Sequence, residues 1–137
     1  MDNYPTSANS QGRKVLVLVV DDEEMMRRMA LMALTAVGFE VVLAEDGIDA
    51  LEAFSARHAD IAVVLMDVTM PRLGGIEAAE KMREVDPSVK IILSSGYTDK
   101  CPEAAKPNAF LPKPYTVDSL FETIRNVIGS GSEMVTP

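Results

Sequence analysis

Two runs of six apolar residues, 15–20 (Val-Leu-Val-Leu-Val-Val) and 61–66 (Ile-Ala-Val-Val-Leu-Met), carry no polar alternation. A strand with one wet face alternates in polarity, whereas a strand buried on both faces does not. These runs therefore call for a parallel sheet covered by helices on either side. Both are far shorter than the ~18 residues needed to cross a bilayer. Further short apolar runs follow at 41–44, 91–93 and, more weakly, 109–111.

The segments between them carry the helical period. Met26, Met29, Ala33 and Val37 step along one face, and Gly38 is expected to end that helix as its C′ residue. Ile48, Leu51 and Phe54 mark a second helix. Ile76, Ala79 and Met82 mark a third, stopping before Asp86-Pro87. Val117, Leu120, Ile124 and Val127 mark the last, with Thr116 as N-cap. Residues 98–108 carry Pro102 and Pro107 and are expected to hold one or two irregular helical turns. Five strand-then-helix units predict an α/β, doubly wound, five-stranded parallel sheet in the order 2-1-3-4-5.

A chain of 137 residues is one domain's worth. Polar stretches at 1–12 and 129–137 read as flexible tails around a domain at 13–128. The net charge of -8 argues against a partner with a phosphate backbone, so no nucleic acid is expected. The single cysteine, Cys101, makes no internal disulfide. With no signal peptide or apolar span, the reading is a cytoplasmic protein without direct membrane contact.

Ligands of doubly wound sheets sit beyond the carboxyl ends of the strands. Here those ends read Asp21-Asp22-Glu23-Glu24, Asp67, Ser94-Ser95-Gly96 and Pro112-Lys113-Pro114. Two carboxylates ~4 Å apart at an effective dielectric of ~20 repel by about 4 kcal/mol, a cost that a divalent cation removes. Mg²⁺ takes oxygen ligands and keeps several waters, so two or three carboxylates suffice. A carboxylate can also attack phosphorus and form an aspartyl phosphate. Asp67, alone after a buried strand, is the candidate nucleophile. Asp21 and Asp22 are the candidate metal pair, Lys113 the counter-charge, and Ser95 the hydroxyl, with Ser94 as its neighbour.

Taken in order, Val19-Val20-Asp21-Asp22-Glu23, Leu65-Met66-Asp67-Val68-Thr69-Met70-Pro71, Ser95-Gly96-Tyr97 and Phe110-Leu111-Pro112-Lys113-Pro114 resemble the motifs of response-regulator receiver domains. The wording is similar to receiver modules of hybrid histidine kinases. The resemblance implies a flavodoxin-like (βα)5 three-layer sandwich and a two-component phosphorelay. Asp67 would be the phosphoacceptor, with the donor phosphohistidine on a sensor histidine kinase or a histidine phosphotransfer domain. The downstream partner is unknown. Mg²⁺, with Mn²⁺ as a substitute, would be held by Asp22, by Asp21 through water, by Asp67 and by the Thr69 backbone carbonyl. Ser95 and Phe110 would form the switch, Lys113 would pair with the phosphoryl group, and the Lys113-Pro114 peptide would be cis. Thr69 and Tyr97 would tune phosphoryl lifetime. The domain would not be an enzyme on its own, although a parent hybrid kinase would be.

Other readings fit less well. A haloacid-dehalogenase-type phosphatase has an acid two positions after its nucleophile, and here that residue is Thr69. A flavin-binding protein on this architecture cradles phosphate after strand one, where Asp21-Asp22-Glu23-Glu24 would repel it. A degenerate receiver serving only as a scaffold would lack one of these side chains, and all are present. His58 reads as a solvated loop residue. Met25, Met26, Met29 and Met32 read as core filling plus an exposed face.

Overall fold

The computed structural model describes residues 14–96 and 106–132. Five parallel strands form one sheet: β1 (Leu16–Val20), β2 (Glu40–Ala44), β3 (Ile61–Asp67), β4 (Ile91–Ser95) and β5 (Ala109–Pro112). Their order is β2-β1-β3-β4-β5, as the sequence pattern predicts. Four helices are described: α1 (Glu24–Ala36), α2 (Gly47–Arg57), α3 (Gly75–Val85) and α4 (Val117–Ser132).

Successive side chains of a strand face opposite ways, so each buried strand feeds two cores. Leu16, Leu18 and Val20 pack with Ala50, Phe54, Ala78, Ala79 and Met82 of α2 and α3. Val15, Val17 and Val19 pack with Ala30 and Leu34 of α1 and with Leu120, Phe121, Ile124 and Val127 of α4. This is the three-layer sandwich that the unbroken apolar runs require. The edge strand β2 is more exposed, and its sequence is correspondingly less apolar.

The caps follow local chemistry. Gly38 adopts a positive φ of 101°, which suits glycine at the end of α1. The Thr116 hydroxyl accepts from the Ser119 N–H at 3.0 Å and starts α4. Helix α4 continues past its last apolar residue, Ile128, to Ser132. Met26 and Met29 pack against the core, while Met25 and Met32 are exposed. Most of the expected irregular turns at 98–108, together with Tyr97 and Cys101, lie outside the described residues.

One glycine is fixed by close approach. A Cβ on Gly75, the first residue of α3, would collide with the backbone carbonyl oxygen of Asp67. Backbone cannot move aside as a flexible side chain can. Gly75→Ala is therefore expected to destabilise by about 2–3 kcal/mol, the upper range for overpacking. Urea unfolding at equilibrium checks this, and an unchanged midpoint would show that the loop yields freely.

Candidate functional site

β3 and β4 run further than their apolar cores. Asp67 is still in the ladder, in register with Ser94, and Ser95 is in register with Pro112. The polar residues that end the strands are thus set by sheet hydrogen bonding and not by loops. Asp21 is tied in one step beyond β1, its N–H donating to the Ala44 carbonyl at 3.1 Å. The Lys113 N–H donates to the Ser95 carbonyl at 3.0 Å, which fixes the start of the turn after β5. The Lys113-Pro114 peptide is cis.

These four strand ends converge. Asp21, Asp22 and Asp67 each place a carboxylate oxygen within 4.8 Å of the others. Asp21 and Asp67 are buried, and Asp22 is exposed. Lys113 reaches across them, its Nζ lying 2.9 Å from Asp21 Oδ2 and 3.1 Å from Asp67 Oδ2. Its side chain is only 13% exposed, so this ammonium is screened little by solvent. A cleft of about 470 Å³ opens over the group, lined by Asp22, Asp67, Thr69, Gly96 and Lys113 among others.

Burial raises the Asp67 carboxyl above its ordinary value, against the opposing hydrogen bond and charge of Lys113. A Thr69 backbone N–H bonded to the Asp67 carboxylate works in the same direction as Lys113. Burial pulls Lys113 down, but hydrogen bonds to Asp21 and Asp67 outweigh it and hold the ammonium above its usual value. Tyr115, buried beside the cluster, has its hydroxyl pushed up to about 12 by burial and then by the Asp21 charge.

Of the residues that the sequence proposes, Asp21, Asp22, Asp67 and Lys113 meet in one cluster, and Thr69 lines the cleft over it. Ser95 ends β4 at the same sheet edge. The alternation of β4 puts Ser94 on the α1–α4 side of the sheet and Ser95 on the α2–α3 side. The buried Ser94 hydroxyl finds no hydrogen-bond partner among the described residues. Phe110 is half-buried and packs against the α2–α3 core. Three contributors carry no clear local signal. Glu23 brings Oε1 to 3.4 Å from Lys113 Nζ. Arg27 donates to the Asp21 carbonyl at 2.8 Å from one turn into α1. Met26 lines the cleft, where its period alone reads as core.

Residues 17–125 match the family model described as the response regulator receiver domain. This chain belongs to the response-regulator receiver domains. It is 37% identical over 116 residues to the chemotaxis protein CheY of Thermotoga maritima, covering 81% of this chain and 95% of that one. It is 32% identical over 117 residues to the sensor kinase CckA of Brucella abortus, covering 82% of this chain and 12% of the kinase. Among solved structures it resembles the response regulator TrrA of Thermotoga maritima in complex with Mg²⁺ and BeF. That match has a TM-score of 0.74 and 29% identity and covers 82% of this chain and 97% of that one. The receiver spans between 9% and 66% of the length of several curated relatives it matches. The TrrA structure holds Mg²⁺, and the three carboxylates here are hard oxygen donors of the kind that ion takes. Among the described residues, no helix is long and apolar enough to cross a membrane.

Proposed function

We propose that this receiver accepts a phosphoryl group from a phosphohistidine onto Asp67 and passes the event to a partner as a change of conformation. The supporting observation is the placement of Asp67, a buried carboxylate held by Lys113 and set within 4.8 Å of Asp21 and Asp22. In the transfer, an Asp67 carboxylate oxygen bonds to phosphorus as the bond from phosphorus to the histidine nitrogen breaks. The nitrogen keeps the electron pair. In the slow reversal, water attacks phosphorus, the carboxylate leaves, and inorganic phosphate is released.

Asp21, Asp22, Asp67 and the Thr69 carbonyl would hold Mg²⁺, which neutralises charge on the phosphoryl oxygens. Mn²⁺ also suits carboxylate ligands and is expected to substitute. Lys113 already stands between Asp21 and Asp67 and can follow a phosphoryl oxygen as it arrives. Ser95 would turn its hydroxyl towards that group, and Phe110 would follow it inwards. The donor is a sensor histidine kinase or a histidine phosphotransfer domain in the cytoplasm. On its own the domain catalyses only its own modification, and the segments that flank it, residues 1–12 and those after α4, act as linkers.

Incubation with a small-molecule phosphodonor and Mg²⁺, followed by intact mass, tests this. A gain of one phosphoryl group, lost when a chelator removes the metal, is the expected result. A folded protein that gains nothing would overturn the proposal.

A further inference from the structure

The loop 69–74 between β3 and α3 carries Thr69 to the cleft over the acid cluster, and it is fastened in turn to the start of α2. Arg72 sits at its crest with φ of 68°, a backbone region that side-chain-bearing residues seldom adopt. From there its guanidinium forks onto Asp46, with Nε 2.7 Å from Oδ2 and Nη2 3.1 Å from Oδ1. Nη2 also lies 3.2 Å from Asp49 Oδ1. Next to it, the Gly47 N–H donates to the Leu73 carbonyl at 3.0 Å. Asp46 is the N-cap of α2, accepting from the Asp49 N–H at 2.9 Å, and its side chain is 8% exposed. The Arg72 hydrogen bond, and then that of the Asp49 backbone, hold the Asp46 carboxyl below its ordinary value.

A two-pronged ion pair to a buried carboxylate fixes both distance and angle, which a single contact does not. At its other end the loop is closed by the Gly75 N–H on the Val68 carbonyl at 2.9 Å. Between these two fastenings lies Thr69, whose amide meets the Asp67 carboxylate. We propose that Arg72 is a positioning residue for the acid pocket: its fork on Asp46 pins the loop 69–74 to the start of α2 and so holds Thr69 in place to help bind Mg²⁺. This inference rests on the Mg²⁺ reading given above.

Arg72→Asn removes the guanidinium while keeping a residue that tolerates positive φ. Asp46→Asn keeps a good N-cap while removing the charge. Calorimetric titration with Mg²⁺, alongside urea unfolding, separates positioning from simple support of α2. Each single variant is expected to weaken Mg²⁺ binding about three- to ten-fold, near the lower edge for outer-shell partners of metal ligands. The double variant is expected to bind no worse than the weaker single one, because both remove the same contact. In the metal-free proteins the Thr69 amide resonance is expected to move in both single variants. Unchanged Mg²⁺ affinity in Arg72→Asn, whatever its stability, would overturn the positioning role, as would additive losses in the double variant. Should Asp46→Asn fail to fold, Arg72→Asn decides alone. A wild-type protein that binds no Mg²⁺ would remove the metal reading itself and this inference with it.

Discussion

Asp67→Asn is expected to take up no phosphoryl group under conditions that modify the wild type fully, and to fold at least as stably as its parent at neutral pH. The first half follows from chemistry. The amide keeps the size of the side chain but has no anionic oxygen to attack phosphorus. The second half follows from where Asp67 lies. Its carboxyl is raised above the ordinary value of 3.8 because burial disfavours the charge more than Lys113 and the Thr69 amide favour it. The folded state thus binds the proton more tightly than the unfolded chain. Stability therefore falls as pH rises from 3.8 to the folded value, and the loss persists at neutral pH. Asparagine carries no such cost. The advantage of the variant should shrink in acid, where the wild-type carboxyl is protonated too. Urea unfolding at pH near 7 and near 4 measures both ends, and intact mass measures phosphoryl uptake. An Asp67→Asn protein that still gained the group would move the acceptor elsewhere. A variant clearly less stable at neutral pH would mean that the Lys113 pairing outweighs the burial cost.

The same arrangement accounts for how much of the molecule the sequence discloses. The unbroken runs at 15–20 and 61–66, too short for helices and alternating with helical segments, read as strands buried on both faces, so sheet type, layers and the active edge are all legible. Asp67 and Lys113 are legible as chemistry because each follows an apolar strand at an edge that carries function. The strand ends are less so. Apolarity stops at Met66 and Leu93, while backbone pairing continues to Asp67 and Ser95. A polar side chain at the mouth of a sheet costs the ladder nothing, so pattern alone cannot mark where pairing stops. Arg72 and Asp46 are 26 positions apart, and no periodicity connects them. Their pairing exists only because the crossovers bring the β3–α3 loop onto the start of α2. Arg27 reads as an ordinary charge on an exposed helix face until its reach to the Asp21 carbonyl is seen.

Lys113→Met is expected to separate three properties that the wild type combines. The Lys113 ammonium occupies Asp21 Oδ2 and Asp67 Oδ2, two of the groups that a divalent cation needs. Removing it leaves these buried carboxylates without their counter-charge, and removing one partner of a buried pair costs about 3 kcal/mol or more. The metal-free variant should therefore unfold at distinctly lower urea concentration. Mg²⁺ then meets no competing cation, so its affinity should rise, and added Mg²⁺ should restore much of the lost stability by mass action. Phosphoryl uptake should move the other way. Loss of one positioned positive group at the developing charge lowers such rates by about a hundred-fold. The pH profile adds a sign. Lys113 is the main influence lowering the Asp67 carboxyl, so without it the acid limb of phosphorylation should shift to higher pH. Calorimetric titration, urea unfolding with and without metal, and intact mass over a pH series read the outcomes separately. If Mg²⁺ bound more weakly to Lys113→Met, the lysine would be a support for the metal site and not its rival. If phosphoryl uptake were unchanged, the charge stabilising the transferred group would have to come from another cation, and Arg27, which donates to the Asp21 backbone carbonyl, would be the one to replace next.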